Sequence, residues 1–167
     1  MAKTNSEFQS LPALPLKNTV LFPGLLLPLS VGRESSMAAV QAALNTEEKE
    51  IILIAQRDAQ VDNPQQDDLY TIGTKAVIRK SSRPGEGVLE ILVLGVERVV
   101  VVKLDSSGEY LSAKYRVLEL PDDGGSEVEA LSGALLDLAG KAIALAQPQT
   151  APELTRMLAG SEDPLRL

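Results

Sequence analysis

Residues 88–104 read VLEILVLGVERVVVVKL, a run of β-branched and other apolar side chains with a Gly-Val step near its centre. This composition is typical of β-strands. We interpret it as two strands, residues 88–95 and 96–104. The segment Pro84-Gly85-Glu86-Gly87 before the run predicts a hairpin turn that joins it to an earlier strand over residues 70–80. The centre of the chain therefore predicts a sheet of consecutive strands.

Shorter apolar runs on both sides predict the remaining strands, at residues 20–22, 25–31, 50–57 and 110–120. Within them, Ile51-Ile52-Leu53-Ile54 is apolar without alternation, which indicates a strand buried on both faces. Only one helix is predicted among these strands, over residues 34–45, where Met37, Val40 and Leu44 recur at helical spacing. This order of elements predicts an α+β fold with a mixed, largely antiparallel, barrel-like sheet.

The pattern becomes helical after a Gly- and Asp-rich segment, residues 121–125, which we interpret as a linker. Ser126-Glu127-Val128-Glu129 has the form of a capping box with Ser126 as the cap. An apolar seam follows at steps of three and four residues, made of Val128, Leu131, Leu135, Leu138, Ala142 and Leu145. Because Gly133 and Gly140 each weaken the helix by about 1 kcal/mol, we expect this seam to pack against a partner.

Pro148 is expected to end that helix, and a second one is predicted from residues 150–153 to Gly160. Asp163-Pro164 is a further helix start, yet only three residues follow it. We therefore expect the chain to come from a longer protein, with a frayed natural tail as the alternative.

The composition excludes several common chemistries. The 167 residues include no His, no Cys, no Trp and five aromatic residues. Ser-His-Asp triads, thiol nucleophiles, thiolate zinc sites and disulfides are thus ruled out. No phosphate-binding loop is found, and the acidic pairs Asp67-Asp68 and Asp122-Asp123 lack calcium-loop spacing. We therefore expect neither catalytic nor metal-binding residues, and no cofactor site, in this chain.

The charge is also informative. The net charge of -7 is uneven, because residues 1–104 are nearly neutral and the remainder holds almost all of the acidic excess. An acidic chain with few aromatic residues disfavours nucleic-acid binding. The N-terminus lacks an apolar export signal, and prolines and Lys17 interrupt the most apolar stretch, so we expect a cytoplasmic protein without a membrane contact.

The segment Pro23-Gly24-Leu25-Leu26-Leu27-Pro28-Leu29 is the strongest binding candidate. Neighbouring strand residues point to opposite faces, so if only one face is buried some of these leucines are exposed to apolar partners. We therefore predict a substrate-binding role for Leu25, Leu26, Leu27 and Leu29. A strand covered on both faces is the alternative.

The sequence resembles the N-terminal domain of Lon, the ATP-dependent serine protease. Similar segments run in order through nearly the whole chain, from about residue 11 to 167. They are Leu14-Pro15-Leu16-Lys17-Asn18, Val20-Leu21-Phe22-Pro23-Gly24, Pro28-Leu29-Ser30-Val31-Gly32-Arg33, Ala55-Gln56-Arg57-Asp58, Asp68-Leu69-Tyr70-Thr71-Ile72-Gly73-Thr74, Gly95-Val96-Glu97-Arg98 and Asp163-Pro164-Leu165-Arg166-Leu167. Lys17 departs from the family pattern, which has Arg there.

We expect residues 1–10 to be a flexible N-terminus. The resemblance implies a six-stranded pseudo-barrel that binds substrates at residues 11–120. Residues 126–167 would begin a helical part that leads toward an ATPase module. In this family the ATP and magnesium site and the Ser-Lys protease dyad lie further downstream, so this piece would not catalyse. Its expected partners are unfolded or degron-bearing proteins and the other subunits of a hexamer.

Three other interpretations remain. The chain could be a stand-alone Lon-like domain that binds a small ligand or a partner protein, which the residues beyond Leu167 would decide. An RNA-binding barrel is disfavoured by the charge and the few aromatic residues. A purely structural role has the apolar seam in its favour, although such seams more often pack within one chain.

Overall fold

A computed structural model of the protein describes residues 8–119, 125–149 and 151–160. The chain divides after residue 119 into two compact units. We call them the barrel unit and the helical unit. The predicted linker, except Gly125, and the predicted helix start at Asp163-Pro164 lie outside the described residues.

The barrel unit contains six strands and one helix. In chain order they are β1 (Gln9–Leu16), β2 (Leu26–Val31), α1 (Glu34–Leu44), β3 (Glu50–Ala55), β4 (Ile72–Gly85), β5 (Val88–Asp105) and β6 (Ser112–Val117). A short 3₁₀ turn, Gln66–Asp68, lies between β3 and β4. This confirms the α+β class and the six-stranded, mostly antiparallel barrel with one helix.

The sheet closes on itself because β5 is long enough to pair with three strands. The hydrogen-bonded order is β2-β5-β4-β3-β1-β6, and β6 also pairs with β5. Five strands therefore form a ring, and β2 lies outside it with β5 as its only strand neighbour among the described residues. The β1–β3 pair is parallel, whereas the other pairs are antiparallel.

The core consists of two clusters, one on each face of β3. Ile51 and Leu53 belong to the cluster that includes Val40 of α1, whereas Ile52 and Ile54 belong to the cluster that includes Tyr115 of β6. All four β3 side chains are 2% exposed or less. The unbroken apolar run in the sequence thus reflects burial on both faces, as predicted.

Three strand predictions were wrong. Residues 9–16 form β1, although Gln9 and Ser10 were placed in a flexible N-terminus and Pro12 and Pro15 interrupt the segment. The strand tolerates these prolines because it pairs with β6 over residues 9–12 and with β3 over residues 13–16, so that each edge is bonded along only half its length.

Residues 20–22, predicted as a strand, lie in the loop between β1 and β2. Residues 88–104 form one strand rather than two. The Gly95-Val96 step is a bulge, because Ala76 of β4 pairs with Gly95 and Lys75 pairs with Glu97, leaving Val96 without a partner in the ladder. The hairpin at residues 84–87 is confirmed, with Gly87 at a φ of 80°.

The helical unit contains α2 (Ser126–Ala146) and α3 (Ala151–Ala159), with Gly160 directly after α3 as predicted. The predicted capping box does not form: the cap position is Gly125, Ser126 is already helical, and no side chain caps the helix. The predicted seam is also mostly exposed, since Leu131, Leu138 and Leu145 are 64%, 62% and 87% accessible. The half-buried face is a neighbouring one, where Gly140 approaches Thr155 of α3.

Candidate functional site

The loop between β1 and β2, residues 17–25, is fixed to the sheet by its backbone. The Thr74 hydroxyl donates to the carbonyl of Leu21 over 2.6 Å. Gly24 N–H donates to the carbonyl of Gly95, and Gly95 N–H donates to that of Leu25, both over 2.9 Å. The loop is therefore held against β4 and β5 at three points.

Gly95 allows this close approach. A Cβ at this position would overlap the carbonyl oxygen of Phe22 and lie 3.2 Å from Cα of Pro23. Gly24 makes the turn itself, with a φ of 81° that other residues rarely adopt. The sequence therefore needs glycine at both positions if the loop is to reach the bulge of β5.

The anchored loop presents large apolar side chains to solvent. Val20, Phe22, Leu25 and Leu26 are each 50–58% exposed. Two further exposed side chains, Ile72 at the start of β4 and Val96 at the bulge of β5, belong to the segments that hold the loop. We call these six residues the apolar surface. Large exposed apolar side chains on one loop and on the strands that hold it mark a candidate interaction site.

A groove of about 190 Å³ runs through the apolar surface. Val20, Phe22 and Ile72 line it, together with Arg98, whose guanidinium lies 5.8 Å from the centre of the Phe22 ring. No carboxylate lines the groove. Its chemistry suits an apolar or aromatic side chain, with one cation at the rim, and offers no pair of groups for acid–base work.

The four predicted leucines are divided between two environments. Leu25 and Leu26 lie on the apolar surface. Leu27 and Leu29 are half-buried and pack against the core cluster that contains Val40. The alternation of strand β2 causes this division, because Leu27 and Leu29 point inward while Leu26 and Pro28 point outward. Substrate binding by these residues stays a prediction, now directed at Leu25 and Leu26.

Sequence reasoning missed the other contributors to this surface, namely Val20, Phe22, Ile72, Val96 and Arg98. One signal was available: Val20 and Phe22 come just before the Pro-Gly turn, in a segment that cannot alternate regularly as a strand. Ile72 and Arg98 gave none, since they lie far from the loop in sequence and reach it only through the β4–β5 pairing.

Within residues 8–119, 125–149 and 151–160, no three Asp or Glu side chains come together in a way that could hold a metal ion. Over the same ranges, no helix has the length and hydropathy needed to cross a bilayer.

Comparison with known proteins relates the chain to Lon proteases. The family model of the ATP-dependent protease La (LON) substrate-binding domain matches residues 10–167. The Lon protease of Nitrosococcus oceani is 46% identical over 159 residues, which are 95% of this chain and 20% of that protein. The Lon protease of Escherichia coli strain K12 is 35% identical over 167 residues, 100% of this chain and 21% of that protein. The chain thus spans about a fifth of the length of these curated relatives.

Solved structures agree in fold. The N-terminal domain of Mycobacterium avium complex Lon protease superposes with a TM-score of 0.71 at 22% identity, over 93% of this chain and 77% of that one. A Lon N-terminal domain protein from Xanthomonas campestris gives a TM-score of 0.57 at 20% identity, over 93% and 92%. With the family model matching nearly the whole sequence, the chain belongs to the LON substrate-binding domain family.

Proposed function

We propose that the apolar surface captures exposed apolar segments of unfolded or damaged proteins and recruits them to a Lon protease of which this chain is the first part. The observation that supports this most is the half-exposure of Val20, Phe22, Leu25 and Leu26 on a loop that Thr74 and Gly95 hold rigidly. Rigid presentation matters because the ordering cost of binding then falls on the substrate alone.

The rest of the proposal concerns the longer protein. Its ATPase module would bind ATP and magnesium, a serine endopeptidase module would cleave the substrate, and the enzyme would work in the cytoplasm as a hexamer. Several copies of a weak apolar site in one assembly bind far more tightly than one copy, by factors of about 10² to 10⁴ where the geometry allows. The exposed leucines of α2 support self-association, since an uncovered apolar face favours contact with another chain.

The experiment measures how the 167-residue chain binds a second protein, first in its native form and then in a stably denatured form. We expect the 167-residue chain to bind only the denatured form. Replacing Phe22→Ser and Leu25→Ser together should weaken that binding at least tenfold, because both side chains lie on the apolar surface.

The matched control replaces two exposed valines outside this surface, Val88→Ser and Val117→Ser, which are 40% and 41% exposed. This variant should bind as the parent does. An equal loss of binding in both variants would contradict the proposal, because it would show that binding does not depend on the apolar surface in particular. Absence of binding to the denatured form would contradict it for the isolated domain.

A further inference from the structure

A second cavity lies beside β2, the strand outside the ring. It has a volume of about 330 Å³ and lies between the last residues of β1, the outer side of β2 and the first turn of α1. Leu16 is its one lining residue in common with the groove beside Phe22, so the two sites are distinct. This volume is within the range of small-ligand sites.

A buried hydroxyl without a partner lines this cavity. Ser36, in the first turn of α1, is 3% exposed, and its Oγ forms no hydrogen bond with any described residue. Buried polar groups are almost always hydrogen-bonded, so this hydroxyl leaves a hydrogen-bonding position open to a water or a ligand in the cavity.

The start of α1 adds a positive electrostatic potential at the same place. The first intrahelical bond runs from Met37 N–H to the carbonyl of Arg33 over 2.8 Å, so the N–H groups of Glu34, Ser35 and Ser36 precede the helical ladder. No side chain caps this end. Free amides at a helix N-terminus favour an anionic group.

Two cations line the cavity as well. Arg33 is fixed by bonds from Nη1 to the side-chain oxygen of Gln56 over 2.8 Å and from Nη2 to the carbonyl of Pro15 over 2.6 Å. A third bond, from Nη1, reaches the backbone carbonyl of Asp62 over 3.2 Å. A guanidinium has five N–H donors, so two are not used by these three bonds. Lys17 pairs with the Asp62 carboxylate over 2.9 Å.

The outer edge of β2 supplies backbone groups. Because Leu25 is bonded to Gly95 of β5, the strand alternation directs the backbone groups of Leu27 and Leu29 to β5 and those of Pro28 and Ser30 away from it. Ser30, which lines the cavity, therefore offers both N–H and C=O to an added strand, whereas Pro28 offers only C=O.

We propose that this cavity binds the C-terminal carboxylate of an extended polypeptide. The carboxylate would lie at the start of α1 between Ser36 and Arg33, the last backbone unit would pair with Ser30, and the last side chain would contact the apolar wall that includes Leu29. Strand addition and carboxylate capture are both known modes of peptide recognition. The inference takes from the proposed function that the ligand is an unfolded polypeptide. It adds that the free C-terminal end of this polypeptide is recognised.

The test uses two labelled peptides of one sequence ending in leucine, one with a free C-terminal carboxylate and one with a C-terminal amide. Fluorescence anisotropy with the 167-residue chain should show at least tenfold tighter binding of the acid. Equal affinities of the acid and the amide would overturn the inference.

Two variants locate the effect. Ser36→Ala should lower the acid-to-amide affinity ratio about threefold or more, whereas Ser35→Ala should leave it unchanged, because Ser35 lines a different cavity. An unchanged ratio in Ser36→Ala, with circular dichroism showing a folded chain, would overturn the assignment of the carboxylate to this cavity.

N-acetyl-leucine serves as a competitor that has the carboxylate and the side chain but no extended chain. It should compete far more weakly than the acid peptide, and equal competition would show a small carboxylate rather than a chain end to be the ligand. The proposed function fails if denatured protein does not bind, while this inference fails if the acid and amide peptides bind alike. Either can therefore be rejected separately.

Discussion

The barrel unit and the helical unit use apolar residues in different ways. All the buried hydrophobic side chains among the described residues lie between Ala13 and Tyr115, in the barrel unit. Neither α2 nor α3 contains a buried residue, although α2 is rich in leucine and alanine. The barrel is therefore stabilised by its own core, whereas the described residues of the helices leave large apolar side chains exposed.

The largest difference should appear when one apolar side chain is shortened in each unit. Ile52→Ala, at a position with 0% exposure, should lower the free energy of unfolding by about 2–5 kcal/mol. Leu138→Ala, at a position with 62% exposure, should change it by no more than about 0.5 kcal/mol. Urea unfolding of the barrel unit can be followed by tyrosine emission, since all three tyrosines lie there, and unfolding of the helical unit by circular dichroism at 222 nm. Similar costs for the two variants would contradict the comparison.

A smaller loss is expected from Gly95→Ala. The added methyl group would overlap the backbone of Phe22, which cannot move without breaking the bonds that hold the loop. Overpacking of this kind costs about 1–3 kcal/mol. Gly85→Ala is the matched control, because nothing lies within 4 Å of its added Cβ. Unfolding of both variants at the same urea concentration would contradict the close contact between the loop and β5.

The same substitution in the helical unit should have the opposite sign. Gly133 lies inside α2, and nothing lies within 4 Å of an added Cβ there. Alanine is about 1 kcal/mol more favourable than glycine within a helix. Gly133→Ala should therefore raise the unfolding midpoint seen by circular dichroism at 222 nm, and leave the tyrosine transition unchanged. An equal shift of the tyrosine transition would show that the two units unfold together.

The smallest effect is expected from alkaline pH, and it should be confined to the barrel. Burial opposes the charge of Lys75, but its hydrogen bond to Glu97 and the charges of Glu50 and Glu97 outweigh this and raise the pKa of Lys75. Burial also raises the pKa of the Tyr115 hydroxyl, although the charge of Lys75 works against this. The unfolded chain therefore loses both protons first as the pH rises past about 10.

The contribution of Lys75 and Tyr115 to the free energy of unfolding is fully present below that pH. It should be lost as the pH rises through the two folded-state pKa values. Tyrosine-detected urea midpoints at pH 8 and pH 11 measure the loss. Tyr115→Phe should reduce it, since that variant has no hydroxyl to ionise. Identical midpoints of the parent protein at both pH values would contradict the assignment.

The parts of the fold that local patterns determine were predictable. The unbroken run Ile51-Ile52-Leu53-Ile54 predicted a strand buried on both faces, and helical spacing predicted α1. Strand β1 was missed because its prolines read locally as breaks, and what makes them tolerable is pairing with β3 and β6, far away in the sequence. The single long β5 was split for the same reason, since its continuity across Gly95 depends on β4.

The exposure of the candidate site was only partly predictable. The Pro-Gly turn and its leucines pointed to a segment with exposed apolar side chains. Composition could not say which of Leu25–Leu29 faces water, because that depends on the pairing register of β2 with β5. The exposure of Phe22 and its closeness to Arg98 follow from the three bonds that fix the loop. Such bonds join residues more than fifty positions apart, for example Leu21 and Thr74, and leave no local signal.

The closure of the ring also affects how the domain is made. The first strand, β1, pairs with β6, which comes last in the barrel unit along the sequence. The hydrogen bond from the Tyr115 hydroxyl to the Gln9 side chain joins residues 106 positions apart. Synthesis proceeds from the N-terminus, and contacts between distant segments form slowly. On the ribosome, Leu11 of β1, which packs against the core cluster that contains Tyr115, therefore stays uncovered until β6 has emerged. Unfinished copies of this domain thus present the same kind of segment that finished copies are proposed to bind.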